Sequence, residues 1–170
     1  FRPGEHLALC CGNSAEWIIF QYAIARAGLV LVSVNPGAST EELAYMLQKC
    51  KVAGMVLDRV AYGVDLVDRV SRIRSDLPLL RELLVADDWE NWRVPGVVRI
   101  DFDLAKPGDP ALIIFTSGTT GRPKAVVLHH AAIVNSGIMS AKRSEVRQGS
   151  ATLGVIPAYH VGGSVLTHLG

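Results

Sequence analysis

The stretch Phe115-Thr116-Ser117-Gly118-Thr119-Thr120-Gly121-Arg122-Pro123-Lys124 sets four hydroxyls, two glycines and a lysine between two apolar runs. Those runs, Leu112-Ile113-Ile114-Phe115 and Ala125-Val126-Val127-Leu128, both read as buried strands. A turn of this composition has little to offer an apolar core but suits a polyanion. Glycines let backbone N–H groups approach phosphate oxygens, hydroxyls add donors, and the lysine is a compact positive charge. The spacing excludes a Walker loop, which ends in Gly-Lys-Ser/Thr and opens a helix. Here Lys124 follows Arg122-Pro123, precedes Ala125 and leads into a strand. Pro123 has no N–H, so a backbone cradle must close before it. The plainer alternative is a hydroxyl-rich hairpin with no ligand.

Outward from this stretch, strands and helices alternate. Residues 6–11 read as a short buried strand. Asn13, with Glu16 three residues on, has the form of a capping box and opens a helix through Arg26. Gly28 stands where that helix ends, and residues 29–34 form a second strand. Ser39 and Glu42 make another capping box, for a helix to Lys49. Residues 52–57 read as a third strand and 83–86 as a fourth. Between them lies an amphipathic helix over 65–77 with Leu66, Val70, Ile73 and Leu77 on one face. Residues 131–142 read as a helix and 151–156 as a strand. The rhythm predicts an α/β fold, a layered and largely parallel sheet with flanking helices. Residues 87–110 break it, with acidic residues and prolines; Trp89 and Trp92 there read as packing anchors rather than a ligand shelf.

Composition narrows the partners. The chain has 170 residues, 49% of them hydrophobic, enough to bury one substantial core. Its formal charge is +1 with no basic block, which disfavours nucleic acid and anionic membranes. The three cysteines, Cys10, Cys11 and Cys50, have no metal-ligand spacing and make no even disulfide set, so they read as buried reduced thiols in a cytoplasmic setting. No apolar run reaches the ~18 residues of a membrane span. His129 and His130 are adjacent and on a strand would point to opposite faces, so they cannot grip one metal together. His6 and His168 read as structural.

The residues 115–124 closely resemble the signature phosphate loop of the adenylate-forming (AMP-binding) superfamily, which includes acyl-CoA synthetases, peptide-synthetase adenylation domains and firefly-type luciferases. Earlier patterns are similar to the acyl-CoA synthetase, or fatty-acid–CoA ligase, branch: Asn13-Ser14-Ala15-Glu16-Trp17, Ala25-Arg26-Ala27-Gly28, Val34-Asn35-Pro36 and the helix Glu41–Leu47. Ile156-Pro157-Ala158-Tyr159-His160-Val161-Gly162-Gly163 resembles the family's Pro-x-aromatic-His-x-x-Gly segment, which borders the acyl pocket. Alone, a histidine after an aromatic is more often a satisfied core residue.

The resemblance implies the chemistry. A carboxylic acid attacks the α-phosphate of ATP to give an acyl-adenylate, and the thiol of coenzyme A then displaces AMP to give a thioester. Thr116, Ser117, Gly118, Thr119, Thr120, Gly121 and Lys124 are the implied nucleotide-binding residues. Ser117, Thr119, Thr120 and the loop N–H groups hold the β- and γ-phosphates, while Thr116 is the candidate ligand or neighbour of Mg²⁺. Lys124 offsets the charge of departing pyrophosphate, and His160 borders the carboxylate; these two are the candidate catalytic residues. Gly162 and Gly163 let the next helix pass close to the site.

Ala125 departs from the family, which carries glycine there; a strand conformation would make the methyl harmless. The expected organisation is a partial N-terminal AMP-binding domain: a first α/β segment over 1–86, an irregular junction over 87–110, and the phosphate-loop and acyl-pocket segment over 111–170. The family's later adenine, ribose, hinge and lid segments have no counterpart, so the expectation is an internal piece of a larger enzyme, inactive by itself. Organellar targeting, peripheral membrane contact and a homodimer remain open for the parent. Two alternatives stand beside the acyl-CoA ligase reading. One is an adenylate-former with another acceptor, a carrier protein or a luciferin-like acid; the other is a non-catalytic nucleotide- or acyl-binding relative.

Overall fold

Strands that read as unbroken apolar runs belong in a sheet covered on both faces, and the runs near residues 6–11, 29–34, 52–57 and 112–115 lie there. The computed structural model describes residues 1–88, 105–117 and 121–168. The first half runs β1 (His6–Cys10), α1 (Ala15–Arg26), β2 (Val30–Ser33), α2 (Thr40–Lys49) and β3 (Gly54–Leu57). A small antiparallel hairpin follows, β4 (Val60–Ala61) and β5 (Val64–Asp65), then α3 (Leu66–Ile73) and β6 (Glu82–Val85). The second half runs β7 (Pro110–Thr116), β8 (Lys124–His129), α4 (His130–Arg143) and a π-helical turn over Gly162–Thr167. Trp89 and Trp92, with most of the expected junction, fall outside the described residues, as do Gly118, Thr119 and Thr120.

The six-stranded sheet has the order β6-β3-β1-β2-β7-β8, parallel throughout except for the β7–β8 hairpin. Because strand side chains alternate, each strand feeds two cores. Ala8, Cys10, Val30, Val32, Val34 and Ile113 join Leu43, Met46, Leu47, Leu66, Val70 and Ile73 of α2 and α3 on one face. Leu7, Leu9, Leu31, Leu112 and Ile114 join Trp17, Ile24, Ile133 and Val165 on the other, under α1, α4 and the last turn. Helices on both faces of a mainly parallel sheet are the expected architecture.

Local capping explains the helix starts, with one correction. Ser39 and Glu42 form the expected reciprocal box on α2. The cap of α1, however, is Ser14, whose hydroxyl accepts from the Trp17 N–H at 3.1 Å, rather than Asn13. Asn13 lies one residue too early, and its amide is engaged elsewhere. Asp65 caps α3 and His129 caps α4, its Nδ1 accepting from the Ala132 N–H. Leu77 lies past the end of α3 in a turn but is buried as its periodicity requires.

Two strand readings are revised. β8 is half-exposed rather than buried, with Val127 56% accessible, because β7 is its only neighbour among the described strands. Residues 151–156 form no ladder, and Leu153 and Val155 are exposed. An apolar run becomes a strand only beside a partner for its backbone groups, and none of the described strands lies next to it.

Candidate functional site

The C-terminal ends of the parallel strands share one edge of the sheet, the edge at which open α/β sheets bind ligands. The chain leaves β1 for α1 on one face and leaves β2 for α2 on the other. Such a switch opens a crevice between the two strand ends. Here the backbone of residues 156–159 is bonded to both sides of it. From the β1 side, the Asn13 amide accepts from the Ala158 N–H at 2.7 Å and donates to the Ile156 carbonyl at 3.0 Å. From the end of β2, the buried Ser33 hydroxyl donates to the Tyr159 carbonyl at 2.8 Å. Ala158 is 1% exposed. Burial pushes the Tyr159 phenol above its ordinary range.

This turn carries His160. The Gly162 N–H donates to His160 Nδ1 at 3.3 Å, so in the neutral ring the proton resides on Nε2, which makes the exposed edge a hydrogen-bond donor. The Gly163 and Ser164 N–H groups and the Ser164 hydroxyl donate to the His160 carbonyl. Gly163 is required by contact: a Cβ there would lie 2.3 Å from the Pro157 carbonyl oxygen. Gln21 of α1 adds a buried bond, donating to the Ser164 carbonyl at 3.1 Å. His168 packs its ring 6.1 Å from that of Trp17 and is pushed by burial toward the neutral form, in keeping with a structural role.

The β7–β8 hairpin brings its mouth to the same edge. Thr116 and Lys124 are register partners at the open end, and both are exposed with Ser117. Gly121 adopts φ +85°, a conformation that favours glycine. Among the described residues Lys124 makes no ion pair. Ala125 lies in β8 opposite Phe115 in ordinary strand conformation and packs against the core, so the departure from glycine is accommodated. Thus the structure brings Thr116, Ser117, Gly121 and Lys124 to one hairpin and places the His160 turn at the same sheet edge.

Composition did not single out Tyr45. Its hydroxyl donates to the Pro123 carbonyl at 3.3 Å, and the Arg122 guanidinium lies over its ring at 5.3 Å. A cleft of about 460 Å³ lies between α2 and this arm, lined by Glu41, Glu42, Tyr45, Gln48, Arg122 and Pro123 among others. An aromatic facing out of α2 beside an acidic first turn was the available signal. The cysteines carry no chemistry here: burial pushes the Cys10 thiol up to about 12 and the Cys50 thiol up to about 11, and Cys11 is raised as well.

A mainly parallel α/β sheet with these loops gathered at the strand ends has the layout in which open sheets hold ligands. The model for AMP-binding enzymes matches residues 1–170, and the chain belongs to that family. It is 30% identical over 199 residues to the mouse (Mus musculus) mitochondrial medium-chain acyl-CoA ligase ACSF2, covering 96% of this chain and 32% of that protein. It is also 30% identical over 167 residues to crotonobetaine/carnitine–CoA ligase of Salmonella typhimurium (strain LT2), covering 94% and 32%. The anthranilate CoA ligase AuaEII, solved with anthranoyl-AMP, superposes with a TM-score of 0.84 over 99% of this chain and 34% of its own, at 20% identity. That last likeness concerns the fold. The chain spans about a third of the length of these relatives. Among the described residues no helix is long and apolar enough to cross a membrane.

Proposed function

We propose that the whole protein of which this chain forms part activates a carboxylic acid with ATP and passes the acyl group to coenzyme A. The observation that carries this reading is the pairing of Thr116 with Lys124 at the end of a hairpin on the same sheet edge as the His160 turn. Family membership and two acyl-CoA ligase relatives support it.

The donor set fits a polyphosphate. The Thr116 and Ser117 hydroxyls, the Gly121 backbone and the Lys124 ammonium belong to one hairpin end, with Gly118, Thr119 and Thr120 in the same stretch by sequence. Positioning and charge neutralisation are what phosphoryl-type transfer asks of a protein. Lys124 neutralises charge as pyrophosphate leaves. His160, donating from Nε2, orients the substrate carboxylate for attack on the α-phosphorus, and a thiolate then displaces AMP from the acyl carbon.

Among the described residues no three His, Cys, Asp or Glu side chains converge to hold a metal. Magnesium fits this site nonetheless, since it binds through few protein oxygens plus phosphate and water, and the Thr116 hydroxyl is the candidate protein oxygen. When bound, the ion would shield the phosphate charge.

The acid is a fatty acid on this reading, with a carnitine-like acid as the second candidate because one relative's name carries it. The cytoplasm is the inferred compartment, with an organelle as the alternative given the mitochondrial relative. These 170 residues alone are expected to lack ligase activity. The test is ATP–pyrophosphate exchange by the whole protein with fatty acids of graded length and crotonobetaine, with and without coenzyme A. Acid-dependent exchange and a CoA thioester are expected; exchange with no acid in the panel would overturn the reading.

A further inference from the structure

The residues that grip the 156–159 backbone all come from the first half of the chain. Asn13 follows β1 and Ser33 closes β2, while Gln21, in the middle of α1, holds the Ser164 carbonyl beyond the turn. The Asn13 contact is specific to an amide. Pro157 has no N–H, so the turn presents a carbonyl before it, at Ile156, and an N–H after it, at Ala158. A side chain with one acceptor and one donor in a fixed plane satisfies both at once. Ala158 is buried, so without Asn13 its N–H would lose its partner at a site where water has little access. The three bonds to residues 156–159 fasten the turn to the ends of β1 and β2, at the same sheet edge as the Thr116–Lys124 pair.

We infer that Asn13, with Ser33, is a positioning residue for the acid half of the site: the amide pins the turn around Pro157 and so sets where the His160 ring stands relative to the nucleotide. The inference rests on the acyl-activation reading above. Its consequence is a split between substrates. Loosening the turn moves His160 and leaves the β7–β8 hairpin in place, so affinity for the acid falls while affinity for ATP holds.

The experiment is ATP–pyrophosphate exchange with the whole protein carrying Asn13→Ala, Asn13→Asp or Ser33→Ala, using octanoate as the acid. If wild type exchanges with a different acid of the panel, that acid replaces it. Melting curves identify the variants that fold. Asn13→Ala is expected to raise KM for the acid about ten-fold, on the scale of one to two lost hydrogen bonds, and to leave KM for ATP within two-fold. Asn13→Asp keeps the acceptor for Ala158 but loses the donor for Ile156, so it should fall between wild type and alanine. Ser33→Ala, which leaves Asn13 intact, should shift the same constant in the same direction. Hydrogen exchange of a peptide spanning residues 154–163 should quicken in Asn13→Ala while one spanning 108–117 stays unchanged. Equal rises in both KM values, or an unchanged acid KM, would overturn the inference while the acyl-activation reading stands. Failure of wild type to exchange with any acid would instead sink that reading, and the positioning role with it.

Discussion

The Tyr45 hydroxyl donates to the Pro123 carbonyl at 3.3 Å, a bond between residues 78 positions apart that ties α2 to the closing arm of the β7–β8 hairpin. The same ring carries the Arg122 guanidinium at 5.3 Å and the Lys49 ammonium at 5.5 Å. One aromatic side chain therefore fixes the segment that immediately precedes Lys124.

Tyr45→Phe removes the hydrogen bond and keeps the face for Arg122. The expected loss is about 1 kcal/mol of loop anchoring, which would raise KM for ATP roughly five-fold. Tyr45→Ala removes both contacts and should cost more. Nucleotide titration of the whole protein, with the acid KM as internal control, checks this; an ATP KM equal to wild type in both variants would refute it.

Gly163 touches the backbone of Pro157 and Ala158, and a methyl group there would overlap the Pro157 carbonyl oxygen at 2.3 Å. Gly163→Ala must push the last turn away from the His160 segment. Overpacking of this kind costs about 1–3 kcal/mol. A lowered denaturant midpoint is expected, together with a weakened acid KM. By contrast, Gly108→Ala, where a Cβ would meet open space, serves as the neutral comparison.

Most of this architecture was legible in the sequence because the inner parallel strands β1, β2 and β3 are buried on both faces and read as apolar runs. The Ser39–Glu42 box on α2 was equally plain, since a cap is settled within four residues. What escaped depends on distant neighbours. Asn13 has the chemistry of an N-cap, yet its amide is spent on Ala158, 145 residues away, and Ser14 takes the cap. Residues 151–156 and β8 have the same apolar pattern as β7, but pattern cannot reveal whether another strand lies alongside. Of the candidate site, the hairpin residues stood out by their hydroxyl-, glycine- and lysine-rich composition and by family resemblance, whereas Tyr45 lay concealed among ordinary helix residues. Its role exists only once α2 lies against the hairpin.

Glu5 and Arg81 form a two-pronged ion pair, at 3.0 and 2.8 Å, that ties the start of β1 to the chain entering β6. Arg81, with the Arg2 N–H, holds the Glu5 carboxyl at about 2, from an ordinary 4.5. A depressed carboxylate stabilises the fold above its unfolded value, and that contribution disappears as pH falls through the folded value. Solvent screening keeps it small for so exposed a pair. In urea titrations Glu5→Gln should therefore be slightly less stable than wild type at pH 6, and the difference should shrink between pH 4.5 and 2. It should also shrink in high salt. A difference that grew on acidification would contradict this account.

Lys124 is exposed at the first position of β8, opposite Thr116, with no ion pair among the described residues. Its charge therefore contributes little to folding, and the proposed function gives it one use, the charge of a departing pyrophosphate. Lys124→Met keeps the length of the stem and discards the charge. The melting temperature should change little, as expected for a surface substitution within about 0.5 kcal/mol. Exchange activity of the whole protein should fall by about 10²-fold or more, the usual cost of removing one group that stabilises developing negative charge. Lys124→Arg restores the charge in a planar fork that a mouth shaped for a compact ammonium receives poorly, so rescue should be partial. If Lys124→Met instead lost stability and kept its exchange rate, the lysine would be a structural residue, and the Thr116–Lys124 mouth would have to hold its nucleotide by hydroxyls and backbone alone.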